Sequence, residues 1–243
     1  MISTLNPKTL NHLMSHDLRG KLHQLEAFLK LIEDSCGEAL DAEGAELLEI
    51  SQGIVTLLDA RLLGLLTLLQ TRERAMERAE VALSDVTAAV LRAMRAQLDE
   101  AHVDVDVGAH PMVLGDRRML EELLTELVSN ALQFKKPGAP ATIRIQLRQQ
   151  PEQVTLQVID RGIGFDGRYK ERIFKPYKRL HPEGTHSGVG MGLPVCAVIA
   201  ERHGGALCAT SAPGEGATFS LTLPLASARR GPHGEPSNTG QEP

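Results

Sequence analysis

Residues Val154–Phe165 read VTLQVIDRGIGF: apolar side chains alternate at Val154, Leu156 and Val158, and an acid and two glycines follow at Asp160, Gly162 and Gly164. Period-two alternation predicts a strand with one buried face, and the glycine-rich exit predicts a turn. A carboxylate at a strand end can accept a hydrogen bond from an exocyclic amine. Two glycines let backbone approach a flat ring and adopt φ > 0 without a Cβ clash. The same pattern also closes ordinary hairpins, so its meaning depends on what the chain places around it.

On the N-terminal side, Ala141–Arg148 predicts a neighbouring strand, and Asp116 an N-cap for a helix from about Arg117 to Phe134, ended by Pro137 and Gly138. Before these come a short apolar run (Val81–Leu83), a helix from about Ser84 to Glu100, and a β-like alternation at Val103, Val105 and Val107. On the C-terminal side, a loop from about Gly167 to Gly190 leads to a helix from about Met191 to His203. A closing hairpin follows at 206–210 and 217–223. Helices interleaved with mostly antiparallel strands predict an α+β sandwich, with helices on one face of a mixed sheet. Residues 226–243 offer almost nothing to bury and predict a disordered tail.

The N-terminal third is different. Apolar residues at Leu10, Met14, Leu18, Leu22, Leu25, Leu29 and Ile32 form one helical stripe, and Leu47, Ile50, Ile54, Leu58, Leu62, Leu65 and Leu69 form a second, running to about Ala79. The short connection between them predicts a long antiparallel helical hairpin. One hairpin cannot bury two such leucine faces, so pairing into a four-helix bundle, a homodimer, is expected. The domain boundaries read as 1–79 for the hairpin, 80–225 for the sandwich and 226–243 for the tail.

Bulk properties narrow the function classes. A net charge of −5 provides no basic face for nucleic acid. Cys36, Cys196 and Cys208 are scattered, without metal-ligand spacing, and fit a reducing cytoplasm. The Met1 end lacks a basic-then-apolar leader pattern, and Leu57–Leu69 is interrupted by Asp59 and Arg61, so no membrane span and a cytoplasmic location are expected.

Three further constellations carry chemistry. Ser15-His16-Asp17-Leu18-Arg19 sets His16 about 200° around the helix from Met14 and Leu18, pointing away from the apolar stripe. Asp17 can orient the ring and free one nitrogen as a nucleophile, and Arg19 can meet a phosphate. An exposed polar helix face, shared with His12 and His23, is the plain alternative. In EELLTELVSNA (Glu121–Ala131), Glu126 and Asn130 lie i, i+4 on the face opposite the leucines, where an amide oxygen can bind Mg²⁺ and a carboxylate can act as a base; solvated surface is the alternative. The glycines of Gly188-Val189-Gly190-Met191-Gly192 precede a helix, where exposed N–H groups favour phosphate.

In this order and spacing, SHDLR, ELVSNA, DRGIGF, IFKPYKRL and GVGMGLPVC resemble the H, N, G1, F and G2 boxes of the sensor histidine kinases of two-component systems, over roughly residues 8–225. SHDLR and FKPYKRLHPEG resemble the phytochrome-like members most. The resemblance implies a GHKL-type (Bergerat) ATP-binding sandwich, ATP and Mg²⁺, and a response regulator receiver domain as partner. By it His16 is the phosphoacceptor, Asp17 its base or orienting acid, and Asn130 the Mg²⁺ ligand. Asp160 would bind the adenine amine, with Gly162 and Gly164 shaping that pocket. Gly188, Gly190 and Gly192 would form the phosphate end of the ATP lid, at about Gly167–Gly190.

Departures from the family pattern matter. Glu126 stands where Asn is common, as in gyrase-type ATPases that use Glu as a base for water. Gln133 replaces a basic residue, for which Lys135 or Lys136 can substitute. Gly20 lacks the Thr or Asn linked to phosphatase activity, so weak phosphatase activity is expected, and Lys21 replaces a helix-kinking Pro. Two rival functions are a non-catalytic phosphotransfer adaptor, which would have lost the glycine boxes, and a GHKL-type regulatory ATPase or anti-sigma-like protein, which would need no His16. With only 15 residues before His16, input is expected from a separate sensor protein, the bundle itself, or a longer chain.

Overall fold

The computed structural model describes residues 7–108, 110–180 and 188–229, with backbone alone at 7–16, 38 and 228–229. These residues divide into two compact units. One holds the chain up to Arg74 together with Ile173–Val195, and the other holds Ala75–Arg172 together with the chain from Cys196.

In the first unit, α1 (Pro7–Cys36) and α2 (Ala42–Glu73) form an antiparallel hairpin. Asp41 starts α2 by accepting from Gly44 N at 2.8 Å. Two cross-pairs fix the register, Arg19 Nε to Asp59 Oδ1 at 3.4 Å and Gln52 Nε2 to a Glu33 carboxylate oxygen at 2.8 Å. Helix α2 ends at Glu73, short of the expected Ala79, because the sequence from Arg72 is a charged run with no apolar stripe to prop another turn. Both helices keep large apolar side chains exposed, among them Phe28 (55 %), Leu31 (59 %), Leu47 (58 %) and Ile54 (53 %). By length and composition α2 is also apolar enough to cross a membrane, so Asp59 and Arg61 do not remove it from that class. Core helices of soluble bundles meet the same description.

In the second unit, β2 (His102–Asp106), β4 (Thr142–Gln149), β5 (Gln153–Asp160), β7 (Gly216–Pro224) and β6 (Ala206–Ala212) form a mixed sheet in that order. The β2–β4 pair is parallel and the others are antiparallel. In register, Ile145 lies opposite Val158 and Leu147 opposite Leu156, while Val158 faces Phe219 and Leu156 faces Leu221 on the other side of β5. This buried face is covered by α3 (Leu83–Ala93), α4 (Arg117–Gln133) and α5 (Gly192–Arg202) from Cys196 onward, through Val86, Leu120, Leu124, Leu127 and Ile199. Asp116 caps α4 as expected, accepting from Met119 N at 3.2 Å.

Three expectations need correction here. Helix α3 stops at Ala93 instead of Glu100, because after Met94 only Leu98 escapes full exposure and isolated turns replace the helix. A two-stranded sheet pairs β1 (Ala79–Ala82) with β3 (Met112–Gly115), and β3 has no counterpart among the expected strands. The stretch expected to be disordered from position 226 is not so at its start. Leu225 donates its N–H to Glu152 O at 2.9 Å and bridges to Val113, and Ala226–Arg229 form a short helix, α6. Residues 230–243 lie outside the described residues.

A buried histidine joins the ends of two of these elements. His203, 2 % exposed, accepts at Nε2 from Asp116 N at 3.0 Å, and its Nδ1 lies 2.7 Å from Ile199 O. Both contacts suit the neutral ring protonated at Nδ1. Burial pushes its pKa below the ordinary 6.5, helped by Arg78 and opposed by the Ile199 and Asp116 contacts. A depressed folded pKa means that this contribution to stability is complete above about pH 6.5 and is lost as the pH falls below it towards the folded value. Melting curves are therefore expected to shift to lower temperature between about pH 7.5 and 5.5, and His203→Gln should flatten that dependence. An equal slope in both proteins would remove His203 as the cause.

Candidate nucleotide site

Alternation along β5 explains the position of Asp160. Val154, Leu156 and Val158 face the helices, and Asp160 follows them on the same face at the strand end, 7 % exposed. Its Oδ1 accepts from Gly162 N at 2.8 Å and from Ala217 N at 3.1 Å. Both bonds converge on one oxygen, so Oδ2 is left without a donor among the described residues. Burial pushes the carboxyl's pKa up, and the two N–H groups pull it back.

The turn after Asp160 is built against other backbone. A Cβ on Gly162 would collide with the Phe134 carbonyl, which also accepts from Ile163 N at 2.9 Å. Gly164 has φ +62°, and a Cβ there would run into the Ala212 carbonyl. The sequence assigns both glycines to the approach of a flat ring. In the structure their first requirement is close packing of chain on chain, and of the two only Gly164 adopts positive φ. Ser211 completes the corner: its hydroxyl accepts from Phe165 N at 2.8 Å and donates to Gly216 O at 2.6 Å. Phe134, Ser211 and Ala217 are absent from the expected site residues. Tertiary pairing brings them to the corner, and it leaves no local pattern.

Helix α4 brings the second set. Glu122, Glu126 and Asn130 line one face at four-residue steps, one turn before Phe134. Burial, then the neighbouring Glu122, pushes the Glu126 carboxyl's pKa up. Among the described residues, Asn130 Nδ2 is the one buried side-chain polar atom without a hydrogen-bond partner. Swapping the amide's oxygen and nitrogen leaves the same orphan end, which costs about 1–3 kcal/mol unless something outside the protein meets it. Turned so that its oxygen takes the buried position, this amide beside a carboxylate fits an oxygen-seeking cation. Lys135 follows the helix and is not buried.

The remaining expected residues lie elsewhere. Gly188 (φ +102°) and Gly190 (φ +75°) belong to the segment grouped with the hairpin, and Gly192 is the first residue of α5. His16 sits on α1, with its side chain outside the described atoms, and Asp17 is exposed beside it. Arg19, read as a phosphate contact, makes an ion pair with Asp59.

Residues 115–227 match the family described as histidine kinase-, DNA gyrase B-, and HSP90-like ATPase. The Phytochrome-like protein Cph1 of Synechocystis sp. is 29% identical over 223 residues, 92% of this chain and 30% of its own length. Cyanobacterial phytochrome A of Nostoc sp. is 30% identical over 92% of this chain and 29% of its own length. This chain thus spans about 30% of the length of these curated relatives. Two solved structures share the fold. Full-length ShkA in complex with AMPPNP has a TM-score of 0.64 at 21% identity, covering 91% of this chain and 46% of that one. ThkA in complex with the response regulator protein TrrA has a TM-score of 0.62 at 19% identity, covering 89% and 62%. The chain is thus similar to these proteins over nearly its whole length, and its residues 115–227 are similar to the histidine kinase-, DNA gyrase B-, and HSP90-like ATPases.

Proposed function

We propose that this chain is the core of an ATP-dependent protein-histidine kinase that phosphorylates itself on His16 and passes the phosphoryl group to an aspartate of a response regulator. The observation that carries the reading is the Asp160 carboxylate. Both of its backbone bonds fall on Oδ1, so Oδ2 remains to accept from the amine of adenine. Gly162 and Gly164 hold the turn that aims it. Gly188, Gly190 and Gly192 would receive the phosphates, with Lys135 as a cation just after α4.

Asn130 would hold Mg²⁺ through its amide oxygen, with Glu126 beside it. When bound, Mg²⁺ neutralises phosphate charge, the main requirement of phosphoryl transfer. The chain's own residues supply the acceptor. A His16 ring nitrogen attacks the γ-phosphorus of ATP, the bond to the β,γ-bridging oxygen breaks, ADP leaves, and Asp17 takes the ring proton. The exposed apolar stripes of α1 and α2 support a homodimer in which two hairpins close a four-helix bundle, with the regulator's receiver domain docking near His16. A cytoplasmic location follows from this reading, since ATP and the regulator meet there.

Incubation with γ-labelled ATP and Mg²⁺ tests the proposal. Protein-bound label that is acid-labile and base-stable is expected, as befits a phosphoramidate. Absence of label across protein concentrations and metal conditions would sink the kinase reading in favour of a phosphotransfer adaptor.

A second reading has one observation in its favour. Glu126 is partly buried with its carboxyl pKa raised, which suits a base acting on water. Slow ATP hydrolysis would then accompany kinase activity, and Glu126→Gln would remove it selectively.

A further inference from the structure

Two backbone turns meet at the Asp160 corner, both within the sheet-bearing unit. One follows β5, and the other joins β6 to β7. Gly214 N of the second donates to Ile163 O of the first at 2.7 Å, so each turn braces the other.

Ser211, near the end of β6, stands between them. Its hydroxyl accepts from Phe165 N at 2.8 Å and donates to Gly216 O at 2.6 Å. The Gly216 carbonyl and the Ala217 N–H belong to one planar peptide unit and point in opposite directions, so fixing the oxygen fixes the direction of the N–H. That N–H donates to Asp160 Oδ1 at 3.1 Å. The bonds therefore run head to tail, from Phe165 N–H through the serine hydroxyl and the 216–217 peptide to the carboxylate, and each polarises the next. Gly216 has φ +83°, and a Cβ there would collide with the Asp160 carbonyl. Glycine leaves this peptide freer to rotate than another residue would, and the Ser211 hydroxyl supplies a hold that a Cβ cannot.

We infer that Ser211 is a positioning residue, which aims the Asp160 carboxylate through the 216–217 peptide and thereby sets the preference for a purine that carries a 6-amino group. The nucleotide part of the inference rests on the ATP reading above. Ser211 itself has no need to touch the base. With Oδ1 pinned by two N–H groups, Oδ2 is turned to where the base amine donates. A carboxylate released to rotate presents Oδ2 for only a fraction of the time, and affinity for an amine-bearing base falls by that fraction. A base without the amine draws nothing from Oδ2 and is unaffected.

Titration of the full chain with ATP and with a purine triphosphate lacking the 6-amino group tests this. Ser211→Ala should weaken ATP about fivefold and leave the other nucleotide within about twofold of wild type. Ser211→Thr keeps the hydroxyl and suits a strand, so it should bind both as wild type does. At saturating ATP, labelling in Ser211→Ala should stay within about twofold of wild type, while the half-saturating ATP concentration rises. In the Asp160→Asn background, Ser211→Ala should cost ATP less than about twofold more, because both changes act through one carboxylate. Equal losses for the two nucleotides, no loss for ATP, additive losses in the double variant, or a threonine variant as weak as alanine would each overturn the inference. The Asp160 carboxyl, followed by NMR, gives a readout that needs no nucleotide. It should titrate at higher pH in Ser211→Ala, since a poorly aimed N–H holds the negative charge less well, and an unchanged titration would overturn the positioning role. If wild type binds neither nucleotide, the ATP reading fails, and that titration still decides whether Ser211 aims Asp160.

Discussion

His16→Gln is expected to reduce acid-labile label to background while leaving nucleotide affinity within about twofold of wild type, since His16 is not among the residues proposed to hold the nucleotide. Glutamine keeps much of the size and polarity of histidine and suits a helix. Its amide nitrogen, however, shares its lone pair with the carbonyl and cannot attack phosphorus, whereas a neutral imidazole nitrogen can. His16 lies on α1, outside the 115–227 region that matches the ATPase family, so its loss removes the acceptor and spares the nucleotide corner. The variant also separates the rival functions. A regulatory ATPase would keep its activity, and an adaptor would show no label from ATP in either protein. Label that persists in His16→Gln would assign the acceptor to another residue.

The parts of the fold that the sequence reveals are those whose signal is local. β5 is legible to the residue, because its alternation runs unbroken from Gln153 to Asp160 between Pro151 and Gly162. The start of α4 is legible because Asp116 caps it through a side-chain bond to Met119 N. Elements that owe their existence to a partner are not. β3 is four residues long and gains its strand form from pairing with β1. The ends of α2 and α3 depend on where packing stops, which periodicity overruns. In the site, residue types are readable but reasons are not. In the sequence Gly162 reads as room for a ligand, and in the fold it is room for the Phe134 carbonyl. Arg19 reads as a phosphate contact and faces Asp59. Both depend on chain approaching chain from 28 and 40 residues away, which the boxes do not record.

Asp160→Asn is expected to weaken nucleotide binding by about 2–3 kcal/mol, roughly 30- to 150-fold, and to lower labelling of His16 in step at limiting ATP. The geometry leaves asparagine no good orientation. If its oxygen takes the Oδ1 position, it can accept from Gly162 N and Ala217 N as the aspartate does. Its NH₂ then points where the adenine amine donates, and two donors meet. If the amide is turned, its oxygen can serve adenine, but the NH₂ confronts two backbone N–H groups in a buried site. Either arrangement leaves a desolvated donor unpaired, which costs more than the absence of one hydrogen bond. The fold should survive, since asparagine matches aspartate in shape and the sheet around it is unchanged. Titration with a fluorescent ATP analogue measures the loss, and melting curves check the fold. A purine lacking the 6-amino group provides the decisive control, because it has no amine to satisfy and should bind Asp160→Asn and wild type with similar affinity. If that purine loses as much affinity as ATP does, Asp160 acts by holding the turn and does not contact the base.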